Sequence, residues 1–200
     1  GEKFYSEFTF RNKQLAIDVG DIFGFKLILK NSFDRSIRAC FELGFERLTC
    51  KNGASTLEKE FSVTQKHSAK LSLEFIGKAI DNALDNGQNA LKVYDEIAKI
   101  IVTDEQGQNL LRHLEDKGAL SGVLREGIEL LWLNPSRQED KARNLYNLYN
   151  ACTEYLTHKV ADERYEYAHG ISSDLLYRFV NLSRNAAKFQ DAIKKVIREG

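Results

Sequence analysis

The spacing of apolar residues changes once along this chain, and that change limits the possible folds more than any other feature. Between residues 3 and 65 apolar and polar side chains alternate, which is typical of strands with one covered face. From Ser68 onward, apolar residues recur every three or four positions, as on one face of a helix. Strands followed by helices predict an α+β protein. We expect an N-terminal antiparallel β-meander followed by a helical C-terminal portion packed on it.

Turn and capping residues divide the two halves into elements. Polar turns at residues 31–36 and at Asn52-Gly53 separate four or five strands. Thr103 opens a capping box, and Asn134-Pro135 stops a later helix. The predicted helices that follow the first long one run over residues 104–116, 121–133, 137–158 and 173–198. We expect residues 1–102, the meander plus a long helix, and the helical lobe 103–200 to form one integrated domain.

Composition excludes some classes of protein. The chain has 29 basic and 29 acidic residues, and its middle third is acidic between two mildly basic ends. Apolar runs stay well below the ~20 residues that span a bilayer, and the first residues lack a signal-peptide core. We expect a cytoplasmic protein of a bacterial host. From the leading Gly and the lack of Met we also expect that the chain has been trimmed from a longer protein and that its native N-terminus is missing.

Three cysteines, Cys40, Cys50 and Cys152, lack any paired spacing. In an intracellular protein they are expected to be reduced core residues. A zinc site formed by Cys40, Cys50 and His67 is the alternative, although this spacing matches no familiar finger or ribbon.

Two groups of basic residues are candidates for contact with nucleic-acid phosphates. The first follows the meander and its junction with the first helix, where Phe33 could stack on a base. Its members are Lys26, Lys30, Arg35, Arg38, Arg47, Lys51, Lys66, His67 and Lys70. The second comprises Arg184 and Lys188, which share a face of the last predicted helix with Tyr177 and Asn181. For both groups the alternative is an ordinary solvated surface.

One set of residues has a spacing that suits chemistry. Asn150, Glu154 and His158 are four apart on one predicted helix, so they project from the same side and could share a metal or position a proton. The HExxH pattern is absent, and an ordinary polar pair on a helix face is the favoured interpretation. The sequence also lacks a phosphate-binding loop, a dinucleotide fingerprint and a nucleophile elbow. We therefore expect no catalysis, no metal and no cofactor.

Several short motifs resemble a family of unknown function carried by phages and plasmids. Their order along the chain, over about residues 20–160, carries the resemblance. The matching residues are Asn31, Ser32, Asp34, Arg47, Cys50, Asn52, Gly53, His67, Asn150, Ala151, Thr153, Glu154, Tyr155 and His158. Arg35 stands where the family usually has Gly in its first motif. The resemblance implies that the protein originates from a mobile element.

A meander followed directly by a long helix is also similar in outline to Rad52-like single-strand annealing proteins, which form rings and bind single strands in a basic groove. We therefore expect a non-catalytic, homo-oligomeric protein that binds single-stranded DNA in recombination. The turns around Asp34 and Gly53 would shape its groove. The alternative is a protein-interaction module that inhibits or regulates a host defence complex, which the acidic middle of the chain also fits. A third hypothesis is a metal-dependent enzyme that uses Glu154, His158 and Asn150.

Overall fold

The structure, a computed structural model, shows strands first and helices after, so the predicted α+β class is confirmed. It describes residues 3–17, 21–36, 39–47, 62–65, 91–159 and 165–194, together with positions 74, 77, 80 and 81. The chain divides into two compact units, Gly1–Lys92 and Val93–Gly200. The boundary expected from the sequence lies after residue 102.

The first unit contains the predicted antiparallel sheet. Its described strands lie in the order β1-β2-β3-β4, so each strand pairs with its neighbours in sequence. They are β1 (Lys3–Ala16), β2 (Ile22–Ser32), β3 (Ala39–Arg47) and β4 (Ser62–Gln65). The register of β1 against β2 shifts between Phe10 and Gln14, where the pairing of the two strands is irregular. This order is that of a meander.

One face of the sheet is aromatic. Phe10, Phe25 and Phe45 are neighbours across β1, β2 and β3, and the rings of Phe25 and Phe45 lie 5.1 Å apart in the core. Toward the other end of β1 the same face opens to solvent, because Phe8 is 53% exposed and Phe4 is 43% exposed. The alternation of apolar residues therefore predicts which face they share, but not how much of that face is covered.

A turn follows β2 over residues 33–36. Asp34 Oδ1 accepts a hydrogen bond from the backbone N–H of Ser36 at 3.0 Å, and Asn31 Oδ1 accepts one from Ser32 N–H at 2.9 Å. Arg35 lies between these bonds with a φ of 62°, in the left-handed region that glycine adopts without strain. The position where the resembled family has Gly is thus the position that needs a glycine-like backbone.

The second unit is helical in its described part. Its elements are α1 (residues 91–98, beginning in the first unit), α2 (Asp104–Asp116), α3 (Gly122–Leu133), α4 (Leu145–His158), α5 (Tyr165–Ser183) and α6 (Ala186–Ile193). The predicted capping box is present, since Thr103 and Gln106 each accept a hydrogen bond from the other's backbone N–H. Among the described residues, no helix has both the length and the apolar content needed to cross a membrane.

Two predicted helices have different bounds in the structure. The helix expected from residue 137 begins only at Leu145, where Asn144 caps it, and Glu139–Lys141 form a single turn of 3-10 helix before it. The last predicted helix is interrupted, because the Asn185 side chain accepts a hydrogen bond from Lys188 N–H and starts α6. In both cases an asparagine side chain satisfies a backbone donor and so favours a new helix start.

Aromatic residues form the core of the second unit. Tyr94, Tyr146, Tyr149 and Phe179 contact one another, with ring centroids between 5.8 and 6.2 Å apart. Trp132, on α3, is buried, and the guanidinium of Arg143 lies 4.6 Å from the centre of its ring. These contacts hold α1, α4 and α5 together and fix α3 beside the segment that leads into α4.

Candidate nucleic-acid interface

A groove of ≈ 690 Å³ runs over the second unit between α2, α5 and the start of α6. Basic and polar side chains form most of its wall. The lining residues are His113, Leu114, Lys117, Asp174, Tyr177, Arg178, Asn181, Leu182, Arg184, Asn185 and Lys188.

The interruption between α5 and α6 shapes this groove. Arg184 lies in the turn between the two helices, and Lys188 lies in the first turn of α6. At the other end of α6, Asn109 of α2 donates a hydrogen bond from its buried amide to the backbone oxygen of Ile193 at 3.1 Å. This bond ties α6 to α2, so α6 forms one side of the groove.

Positive charge dominates the groove. Among the described lining residues, four are Lys or Arg and one is a carboxylate: Lys117, Arg178, Arg184 and Lys188, and Asp174. Arg178 Nε bonds Asp174 Oδ2 at 2.6 Å, and Arg184 Nη2 bonds Glu96 Oε2 at 2.8 Å.

Both pairs are largely solvent-exposed, so each contributes only about 0–1 kcal/mol to stability. Either arginine could therefore exchange its carboxylate for a phosphate at little cost. Among the described residues, neither Lys117 nor Lys188 forms a salt bridge.

His113 adds a group that titrates. Partial burial lowers the pKa of His113, the nearby charge of Lys117 lowers it further, and Asp116 offsets part of that shift. The imidazole is therefore neutral near pH 7, and the groove relies on its four permanent cations there. Protonation of His113 at lower pH would add a fifth positive charge.

One aromatic side chain stands in this basic groove. Tyr177 on α5 is 68% exposed, although a tyrosine of a folded protein usually buries much of its ring. An exposed ring beside cations suits a nucleobase, which stacks on aromatic faces while its phosphates contact Lys and Arg. The groove thus combines the two features that single-strand binding requires.

The structure brings together four residues that the sequence placed on one helix face. All four line the groove: Tyr177, Asn181, Arg184 and Lys188. They do so even though α5 ends at Ser183 and α6 begins at Ala186. Lys117, Arg178 and His113 also line the groove, although no sequence pattern singled them out. The spacing of His113 and Lys117 indicates a shared helix face, but only the tertiary packing shows that this face lies opposite α5.

The cations predicted on the meander are less clearly arranged for binding. Lys26 is only 6% exposed, and its ammonium bonds Glu7 at 2.6 Å across β1 and β2. Ile28, two residues along on the same face, is also buried, and Phe25 is buried on the opposite face. Both faces of β2 are therefore covered here, so the alternation of apolar and polar residues does not predict whether Lys26 is exposed to solvent. Lys30 is half-buried and Arg35 exposed. We therefore leave Lys26 out of the proposed interface.

The remaining predictions on the meander fall outside what the structure describes. Only the backbone of Arg47 is described, at the end of β3. The predicted positions outside the described residues are Arg38, Cys50, Lys51, Asn52, Gly53, Lys66, His67 and Lys70. Among the other motif residues, Ser32 is buried, whereas Asp34 is exposed and its pKa is lowered to about 2, chiefly by the Ser36 N–H bond.

The late motif on α4 holds the preceding loop in place. Asn150 is 2% exposed, and its amide donates to Asp140 Oδ1 and Asn147 Oδ1, each at 3.3 Å. Thr153 is buried and donates its hydroxyl proton to the Asn150 carbonyl. Glu154 accepts hydrogen bonds from Ser136 and Arg137. The loop over residues 136–140 is thereby fixed on α4.

The predicted Asn150, Glu154 and His158 set does not converge on one site. Asn150 and Glu154 are engaged with the loop, whereas His158 is exposed in the last turn of α4. Tyr155, next to Glu154, lies against Gly127 of α3. Within the described part of the chain, no group of three or more His, Cys, Asp and Glu residues could hold a metal ion.

The two described cysteines differ in their surroundings. Cys152 is fully buried, and burial raises the pKa of its thiol, so it is an inert core residue. Cys40 is half-buried on β3.

The fold and the groove define a class: an α+β protein with an antiparallel sheet in one unit and a basic, tyrosine-bearing groove in a helical second unit. The chain belongs to the family described as a domain of unknown function (DUF932), whose model matches residues 1–193. No curated protein and no solved structure matches it.

Proposed function

We propose that this chain is a non-catalytic DNA-binding protein that holds single-stranded DNA in the groove of its second unit. The observation that carries this proposal is the groove lining of four permanent cations against one carboxylate, with Tyr177 exposed among them. Phosphates would contact Lys117, Lys188 and Arg184, while a base stacks on Tyr177. Double-stranded DNA cannot offer an unstacked base to that ring, so the groove favours single strands.

The test is the salt dependence of binding. Fluorescence anisotropy of a labelled 20-nucleotide strand, titrated with protein at several salt concentrations, gives the affinity and its slope against log salt. Each phosphate contact on a single strand contributes about −0.7 to that slope. The double variant Arg184→Ala with Lys188→Ala should weaken binding and make the slope about 1.4 less negative, that is two contacts. Unchanged affinity and slope would refute the groove as the site.

A matched control lies just after the same helix. Lys194 follows α6 and pairs with Asp191 outside the groove, so Lys194→Ala removes one positive charge without touching the site. It should leave the slope nearly unchanged, whereas Lys188→Ala should not. Tyr177→Ala should cost about 1–3 kcal/mol of binding if a base stacks there, and Tyr177→Phe should retain it. Equal effects of the two tyrosine variants would exclude stacking.

An annealing role in phage or plasmid recombination is the specific activity that we propose. The order of sheet and helices supports it by its outline only. The protein would then form homo-oligomers and accelerate the pairing of complementary strands. Light scattering of the purified protein, with and without a single strand, measures the first property, and a two-strand annealing assay measures the second. A monomer that does not speed annealing would leave DNA binding without this role.

We also predict that basic residues of the meander form a second set of phosphate contacts. Replacing Arg47 and Lys51 by Ala should weaken binding and flatten its salt dependence, and unchanged values would remove them from the interface.

One observation favours the alternative, a module that regulates a host complex. Phe4 and Phe8 expose aromatic surface on one face of the sheet, and exposed apolar patches often mark protein interfaces. A stoichiometric complex with a host protein that Phe8→Ser abolishes, together with no affinity for DNA, would support this alternative.

A further inference from the structure

A second cleft opens beside the basic groove. It has a volume of ≈ 500 Å³ and is lined by Gly118, Ala119, Leu120, Ser121, Gly170, Ile171 and Asp174. Asp174 also lines the basic groove, so the two depressions meet at this carboxylate. The cleft is shallow and open to solvent, so it has room for a flat group that lies along its surface.

The walls of this cleft are made by small residues and backbone. A Cβ atom built on Gly170 meets nothing within 4 Å, and the same is true of Gly118. Ala119 and Leu120 are buried and give the cleft an apolar wall. Open space lined by backbone and small apolar side chains fits a flat, rigid ring system, with a polar group needed only at one edge.

That polar group is the carboxylate of Asp174. Arg178, which lines the basic groove and not this cleft, donates from Nε to Asp174 Oδ2 at 2.6 Å and is the only described residue that bonds this carboxylate. Asp174 Oδ1 thus presents acceptor capacity to the cleft. A ligand that fits this carboxylate must offer two donors side by side along one edge.

Among the nucleobases, guanine fits this carboxylate best. Its Watson–Crick edge places the N1–H and N2–H donors side by side, next to the O6 acceptor. Thymine offers a single N3–H between two carbonyl oxygens, one of which would face the carboxylate. Adenine and cytosine offer one amino group beside a ring nitrogen.

We propose that the cleft between Gly118 and Gly170 receives a guanine base of the bound single strand, with Asp174 accepting from its N1–H and N2–H. This proposal rests on the proposed single-strand function, because the neighbouring cations would hold the phosphates of the same strand. It adds a base preference that a sequence-independent single-strand binder lacks.

The test compares four 20-nucleotide strands by anisotropy: alternating thymine and guanine, alternating thymine and cytosine, alternating thymine and inosine, and thymine alone. Inosine is guanine without the N2 amino group, so it isolates one donor. The guanine strand should bind on the order of 5- to 10-fold more tightly than the thymine strand, with inosine between them.

Two variants probe the cleft, and the second has a matched control. Asp174→Asn removes the carboxylate while keeping the shape of an exposed side chain, so the ratio of thymine to guanine dissociation constants should fall toward one even as overall affinity rises. Gly170→Phe should fill the cleft and abolish the preference, whereas Gly170→Ala, whose added methyl group meets nothing, should retain it.

The possible failures are distinguishable. If no strand binds at low salt, the proposed function itself is wrong. If all four strands bind equally and with the same salt dependence, single-strand binding stands and the guanine site is refuted. A guanine preference that persists in Asp174→Asn or in Gly170→Phe would refute this cleft as its source.

Discussion

The contact between Gly107 and Trp132 gives a sharp test of the packing in the helical unit. A Cβ added to Gly107 would overlap the indole and would lie 2.7 Å from Trp132 Cε2. Trp132 is 1% exposed and is covered on its ring by the Arg143 guanidinium, so the indole cannot easily move aside. We therefore expect Gly107→Ala to destabilise the second unit.

The expected size follows from three contributions. Replacing Gly by Ala inside a helix stabilises by about 1 kcal/mol. Overpacking a buried aromatic ring costs about 1–3 kcal/mol. Displacement of the ring also breaks the 3.4 Å hydrogen bond from Trp132 Nε1 to the Asp104 carbonyl, which costs about 1 kcal/mol more. Together these contributions predict a net loss of about 1–3 kcal/mol in the free energy of unfolding.

Gly170→Ala is the matched control, because Gly170 also lies in a helix but its added Cβ meets nothing. That variant should gain about 1 kcal/mol. Urea unfolding followed by tryptophan fluorescence reports on this unit, since Trp132 is the single tryptophan of the chain. If Gly107→Ala were as stable as Gly170→Ala, the inferred contact would be refuted.

A double variant adds a second check. Trp132→Phe leaves space beside residue 107, so Gly107→Ala should cost less in that background than in the native chain. Unfolding of this variant has to be followed by circular dichroism, because it lacks tryptophan. Additive effects of the two substitutions would argue against a direct contact.

Three further perturbations have definite expected outcomes. Arg35→Gly should raise the free energy of unfolding by roughly 0.5–1 kcal/mol, because the φ of 62° strains any side chain but glycine; a loss measured by urea unfolding would contradict this. The pKa of the Asp34 carboxyl, measured by NMR titration, should be about 2 and not the ordinary 3.8. Because the folded pKa is the lower one, the contribution of Asp34 to stability is present above pH 3.8 and is lost as pH falls through about 2. Asn150→Ala should cost about 1–3 kcal/mol because it leaves buried partners unsatisfied, whereas exposed Asn181→Ala should change stability by less than about 0.5 kcal/mol.

The groove also predicts a pH effect on binding. Burial and Lys117 lower the pKa of His113, so its charge is absent at neutral pH and appears only as pH falls below the ordinary histidine value of 6.5. The other charged groups near the imidazole are Asp116 on the same helix and the pair Asp174 and Arg178 across the groove. Single-strand affinity should therefore rise between pH 7 and 5.5, and His113→Gln should remove most of that rise. An equal rise in both proteins would assign it to another group.

The sequence by itself determined the class of fold, because a period of two and a period of 3.6 are local properties of the chain. It also determined the helix starts that Thr103 and Ser121 cap, but not those that Asn144 and Asn185 cap. It placed Arg184 and Lys188 on one face with Tyr177, and the groove contains all three.

Tertiary structure alone decided which of these residues share a site. Lys26 alternates with apolar neighbours like a surface residue, yet both faces of β2 are covered at that point and its ammonium pairs with Glu7. Asn150 has the spacing of a ligand on α4, yet it bonds a loop that folds back onto that helix. Lys117 and Arg178 are 61 positions apart, and only the packing of α2 against α5 and α6 brings their charges to one groove. Local patterns fix faces and ends of elements, whereas burial and charge clustering depend on which elements come to lie beside one another.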